Sequence, residues 1–276
     1  MIENIINSSN LLPFVAIILI AISASFLGSF VLWKKLSYYG DALSHSILLG
    51  VVIGNFFQTD QILTLIVFSI IFSLIIQFIS RNNYFSKDSI VMITSYGCIS
   101  LALLFIDDIH EFEEIIFGDV LEINSYQIFL LLTLSLTIII YTILAFKKIL
   151  LININKDLAK IDGIKVDFWQ LSFLILLSVT VAICVKFVGV FLMTALLILP
   201  SAIARIYAKS ASKMIFLSLI IAIFSSLFSF EISNLLDSKI QPTLILSLVI
   251  VFILSLALSK FLSQKKNKLT IISKCS

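Results

Sequence analysis

Residues 11–33 read LLPFVAIILIAISASFLGSFVLW, a stretch without a single charged side chain. As a helix rising about 1.5 Å per residue it is about 35 Å long, enough to cross a hydrocarbon layer of roughly 30 Å. The ten residues before it carry Glu3 but neither Lys nor Arg. A secretory signal has a basic start and a shorter apolar core, so this stretch is expected to be a retained membrane helix. Lys34 and Lys35 close it. Working outward, the whole chain has this character: 60% of its 276 residues are hydrophobic and 13% are charged. A soluble domain carries about 25% charged residues. The expected fold class is therefore all-α, a polytopic membrane protein built as a helical bundle. The net charge of +3 calls for no nucleic-acid partner, because membrane proteins gather Lys and Arg on one side of the bilayer. Cys98, Cys184 and Cys275 have neither pairing nor metal-ligand spacing.

Eight further apolar segments follow: 42–57, 61–80, 89–106, 127–146, 168–188, 189–204, 214–236 and 242–259. With the N-terminus outside and sides alternating, these nine spans leave 17 of the 19 basic residues inside, all but Lys186 and Lys239. The positive-inside rule thus favours nine helices with the N-terminus outside and the C-terminus inside.

The second segment opens with LSYYGDALSHSILLGVVIG, residues 36–54. Asp41 and His45, one of only two histidines, stand four residues apart. On a helix that spacing puts a carboxylate and an imidazole on one face, two first-row metal ligands at the mouth of a membrane segment. Ionisable groups inside a membrane are costly and mark functional sites. The alternative is that Asp41 caps the helix after Gly40 and His45 packs in the interior. Gly50 and Gly54, and Ala24 and Gly28 in the first helix, have the small-xxx-small spacing that lets helices approach closely.

Three other stretches stand out. Residues 107–122 hold eight ionisable side chains, seven of them carboxylates, in the fourth-to-fifth connection. They form a solvated face or a cation-attracting vestibule, with His110 and Glu114 a second i,i+4 ligand pair lacking any sign of enclosure. Residues 150–166 mix charge and apolarity and predict a short amphipathic helix over 157–161, stopped at Gly163. In 188–210, Gly189 permits a tight outer turn. Pro200 is expected to kink or end the seventh helix, while Ala202 and Ala204 permit close helix contact.

Together these stretches resemble the permease subunits of ABC transporters that import zinc, or manganese and iron. The resemblance rests on Gly40, Asp41, His45, Gly50 and Gly54 in the second helix, and on Gly189, Ala195, Leu196, Leu197, Pro200 and Ala202 in the late motif. It rests also on Ala159 and Gly163 in DLAKIDGIKV and on FGDVL at 117–121. The text differs from much of the family at Leu49, at Asn155 and after Pro242. The resemblance is most similar to zinc importers. It implies a homodimer in the plasma membrane, the inner membrane of a bacterial cell, with a separate cytoplasmic ATPase and an extracellular or periplasmic metal-binding protein as partners. Residues 1–262 would form one permease domain and 263–276 a basic cytoplasmic tail. Asp41 and His45 of both copies would be the transit site. Asp157, Ala159 and Gly163 would dock the ATPase, and Gly189 and Pro200 would shape the gate. The cargo would be Zn²⁺, or else Mn²⁺ or Fe²⁺, with no permanently bound cofactor. No GxxxxGK[ST] occurs, so no ATP hydrolysis and no enzyme activity is expected of this chain. A self-contained secondary cation transporter is the other reading, although such proteins usually show paired repeats or broken helices in both halves.

Overall fold

The computed structural model describes residues 8–80, 85–105, 116–118, 123–236 and 238–275, with the backbone alone for 8–10 and 262–275. Among these residues the chain is helical, with no strand. The helices are α1 (Ser8–Trp33), α2 (Ser37–Phe56), α3 (Gln61–Ile79), α4 (Lys87–Phe105), α5 (Ser125–Ile154), α6 (Lys156–Ile161), α7 (Val166–Tyr207), α8 (Ala211–Leu236) and α9 (Ile240–Cys275). Seven of them, all but α2 and α6, are long and apolar enough to cross a membrane. Helix α2 falls short because Asp41, His45, three serines and two tyrosines dilute its apolar residues.

Helix starts follow local chemistry. Asp60 caps α3 by accepting from the Leu63 N–H at 2.9 Å. Asn124 and Gln127 form a reciprocal capping box at α5, so two N–H groups that no helical carbonyl reaches are satisfied. Helix interiors carry many serines whose hydroxyls return to a carbonyl in the preceding turn, as Ser44 does to Gly40 at 2.8 Å and Ser46 to Ala42 at 2.7 Å. In an apolar medium such self-satisfaction lets a small polar residue sit at a helix contact at little cost.

Helix α7 is the centre of the bundle. Its 42 residues contain one non-helical position, Gly189, with φ 78° and ψ 167°. Phe173 meets Phe30 edge to face with ring centroids 6.0 Å apart, while Ser201 lies 3.3 Å from Ser29. Were α7 straight, residues 173 and 201 would be about 42 Å apart. They touch neighbouring residues of α1, so the chain doubles back at Gly189. The returning half, 190–207, is wedged between α1 and α2. A Cβ on Gly28 would collide with the Leu197 carbonyl oxygen, and one on Gly40 would come within 2.7 Å of Leu197 Cδ2. The small-xxx-small expectation holds at both places: Gly28 and Ala24 are buried on α1, and Gly50 and Gly54 of α2 seat Phe68 and Thr64 of α3.

Pro200 needs correction. It is buried, and the helix runs through it to Tyr207, so it neither ends nor breaks the segment. A proline inside a membrane helix is tolerated where neighbouring groups compensate its missing N–H. The tight turn falls at Gly189, as expected from the sequence. The outer surfaces of α3, α5, α8 and α9 expose large apolar side chains such as Phe78, Phe129, Ile143, Phe224 and Ile253, which suits contact with lipid.

Candidate functional site

Helix α2 begins at Ser37, after Leu36, which makes no side-chain cap. Asp41 therefore sits inside the helix, and the capping alternative falls. The first turns are clamped by three elements. The Tyr39 hydroxyl lies 2.8 Å from Ser178 Oγ of α7 and 3.2 Å from Ser73 Oγ of α3. Ser73 in turn donates to Ser178 at 2.7 Å, closing a buried triangle of hydroxyls. Ser95 of α4 donates to the Ala42 carbonyl at 2.8 Å. On the remaining side Gly40 lets Leu197 in.

These contacts use every face of α2 but one. Tyr38, Asp41, His45, Leu49, Val52 and Phe56 follow i,i+3/i+4 spacing and none of them is buried. On this stripe His45 Nε2 lies 3.7 Å from Asp41 Oδ1, with 36% and 48% of the respective side chains exposed. The pair is thus brought together, as its spacing requires, on a face that one chain leaves uncovered. Ser178 and Leu197, which flank residues 39 and 40, lie 11 and 8 residues from the Gly189 turn, about 12–16 Å along the helix. The pair is therefore well below that end of the bundle. Among the described residues no three His, Cys, Asp or Glu side chains come together as a metal site. One chain offers an oxygen and a nitrogen donor, half of a four-ligand set.

His110 and Glu114 lie outside the described residues. Their connection re-enters at Ile116–Gly118, and Gly118 (φ 70°) is pressed against the Gly189 turn so closely that a Cβ on Gly118 would strike the Gly189 nitrogen, and one on Gly189 the backbone of Ile116 and Phe117. Gln241 Nε2 of α9 donates to the Gly118 carbonyl at 3.3 Å, and Lys239 Nζ stands 5.1 Å from the centre of the Phe117 ring. The FG pair of this connection thus latches onto the α7 turn and the start of α9. Gln241 and Lys239 carry no sequence signal for this role; Gly118 does, through its FGD text.

At the other end, α6 runs one residue earlier than expected, from Lys156. Asn155 caps it, accepting from Asp157 N at 2.8 Å and Leu158 N at 3.3 Å, and Gly163 (φ 75°) ends it. Asn at the usual acidic position is therefore no defect, since Asn and Asp cap about equally. Asp157 and Gly163 are exposed, but Ala159 is completely buried against Ile152 and Val166. Ala159 seats the helix on α5 and α7. Leu158 and Ile161, 51% and 79% exposed, are the apolar side chains it presents outward. They were missed because a six-residue helix does not show from its sequence which side the bundle covers.

A bundle of apolar helices around a broken, doubled-back helix, with an acid–histidine pair in its depth, is the architecture of a membrane transport subunit. The model of the ABC 3 transport family matches residues 10–259, and the chain belongs to that family. It is 31% identical over 235 residues to the high-affinity zinc uptake system membrane protein ZnuB of Haemophilus influenzae, covering 83% of this chain and 90% of that one. The manganese import system permease protein ScaB of Streptococcus parasanguinis is 26% identical, with 91% and 90% covered. Among solved structures, PsaBC from Streptococcus pneumoniae in complex with Fab superposes with a TM-score of 0.81 at 27% identity, covering 92% of this chain and 95% of that one.

Proposed function

We propose that this chain is the permease subunit of an ABC importer that moves a divalent transition metal, Zn²⁺ first, into the cytoplasm. Two copies face each other across the uncovered stripe of α2. Asp41 and His45 of both then supply two carboxylates and two imidazoles to a passing ion. Oxygen and imidazole donors without thiolate replace part of the ion's hydration yet release it, which transit requires. The observation that carries this reading is the acid–histidine pair on a half-exposed face deep within an apolar bundle. Facing lipid it would be costly, and covered by a second copy it becomes a site. The likeness to a zinc permease supports Zn²⁺. The likeness to a manganese permease keeps Mn²⁺ as the second cargo.

In this reading the protein crosses the inner membrane nine times, counting α2 and both halves of α7, with its N-terminus outside and its basic end inside. A separate cytoplasmic ATPase docks on α6 through Leu158, Asp157 and Ile161. A metal-binding protein delivers the ion at the Gly118–Gly189 end. The test is accumulation of zinc, manganese, iron and cobalt by cells with and without the chain, at limiting supply. Loss of zinc accumulation alone is expected on deletion. Unchanged accumulation of all four ions rules the proposal out.

A further inference from the structure

At the end of the bundle opposite Gly189, a cavity of about 250 Å³ opens where the α1–α2 turn, α3, α4, α5 and α7 meet. Lys34 and Lys35 come from the turn, Lys87 from the first position of α4 and Lys156 from the first position of α6, and all four line the cavity. Among the described residues none of the four has a carboxylate within 4.0 Å. Asp167 is the carboxylate near enough to act on Lys87, and it does so from a distance. Lys34 is set apart from the others by burial. Its ammonium has only the Phe173 ring beneath it, 4.5 Å from the centroid, and desolvation and then the Lys87 and Lys156 charges bring its pKa down to about 7. Asn153 Nδ2, a donor, is also buried in this region without a hydrogen-bond partner.

Such a cluster is unfavourable as it stands: like charges from separate elements crowd one another, and a buried N–H is unmet. Lys87 adds to this by standing at a helix N-terminus, the end that already carries partial positive charge. Every one of these defects is relieved by a single anion with several acceptor oxygens. We propose that the cavity binds one phosphate group, held by Lys34, Lys35, Lys87 and Lys156 with Asn153 as a neutral donor. The rest of the lining assigns the source. Leu36, Ile76, Val91 and Leu174 make one wall apolar, and Trp33 closes the adjoining membrane helix, as tryptophan does at headgroup level. A basic pocket with an apolar wall at the membrane surface fits the headgroup of an anionic phospholipid better than a free ion.

The test is native mass spectrometry of the full-length protein in detergent, titrated with phosphatidylglycerol, phosphatidylcholine and inorganic phosphate in separate arms. Wild type is expected to retain phosphatidylglycerol in preference to phosphatidylcholine. The Lys34→Gln/Lys87→Gln double variant is expected to weaken that retention roughly thirtyfold, and Lys34→Arg/Lys87→Arg to restore it. Lys156→Gln, at an exposed position that the fold does not need, should weaken it roughly fivefold and guards against misfolding of the double variant. Retention of phosphatidylglycerol that is equal in wild type and both Gln-bearing proteins overturns the site. Displacement by millimolar inorganic phosphate, without preference for phosphatidylglycerol, upholds the phosphate site and overturns its assignment to lipid.

Discussion

Replacing Gly189 by Ala should damage this protein far more than the same change at Gly163 or Gly97. At φ 78° and ψ 167° the residue occupies a region essentially reserved for glycine, and an L side chain there costs about 1–3 kcal/mol. The added Cβ would also meet the Ile116 carbonyl oxygen and lie 2.7 Å from Phe117 O. Both are backbone atoms, which cannot rotate aside, so overpacking adds about 1–3 kcal/mol. The expected loss is therefore about 2–6 kcal/mol, enough to open the latch between the FG pair and the α7 turn. Two other glycines separate the terms. Gly163 has φ 75° but no neighbour within 4 Å of a built Cβ, so Gly163→Ala should cost roughly 1–2 kcal/mol from conformation alone. Gly97 is helical with open space around it, so Gly97→Ala should cost nothing. Thermal unfolding in detergent, followed by tryptophan fluorescence, should rank the variants Gly97→Ala, Gly163→Ala, Gly189→Ala in decreasing stability. If Gly189→Ala matches Gly163→Ala, residues 116–118 do not pack on the turn as described.

Ile161→Asp should leave the permease folded, because that side chain is 79% exposed, yet weaken its co-purification with the ATPase at least tenfold; unchanged co-purification rules out α6 as the docking element. Ala159→Trp should instead unseat α6 and lower thermal stability by about 1–3 kcal/mol even without any ATPase, since Ala159 is fully buried; an unaltered melting curve contradicts that placement. The Lys34 ammonium, with a folded pKa of about 7 against an ordinary 10.5, leaves the unfolded chain binding more protons between those values. Stability in lipid-free detergent should accordingly rise as pH increases from 7 towards 10.5, and Lys34→Met should flatten that rise. Lys87 lines the same cavity, so a slope identical in Lys34→Met would move its origin there.

Much of this was legible from residue order, for physical reasons that also set the limit. Apolar runs and the segregation of Lys and Arg reveal membrane helices because the bilayer acts on each segment separately. The Asp41–His45 pairing was legible because four residues on one helix have one spatial outcome. What set the pair's surroundings was not: the Tyr39–Ser73–Ser178 triangle joins residues 139 positions apart, and this clamp holds the start of α2 with Asp41 on the free stripe. Pro200 looked like the break because proline disrupts isolated helices, but packing overrides that preference. The turn itself was legible at Gly189, because its backbone is one that only glycine adopts readily. The latch by Gln241 and the side of α6 that Ala159 occupies are tertiary facts with no local signature.

The central claim, that metal passes between the Asp41 and His45 pairs of two copies, is tested most directly by zinc flux through purified complexes in liposomes. His45→Leu keeps the volume and removes the nitrogen donor, and Asp41→Asn keeps the shape and removes the charge. With assembly and ATP hydrolysis retained, both variants are expected to carry less than about a tenth of the wild-type zinc flux, since a lost charged ligand removes on the order of 1.5–3 kcal/mol. Wild-type flux in both variants would contradict the account and place the ion's path elsewhere.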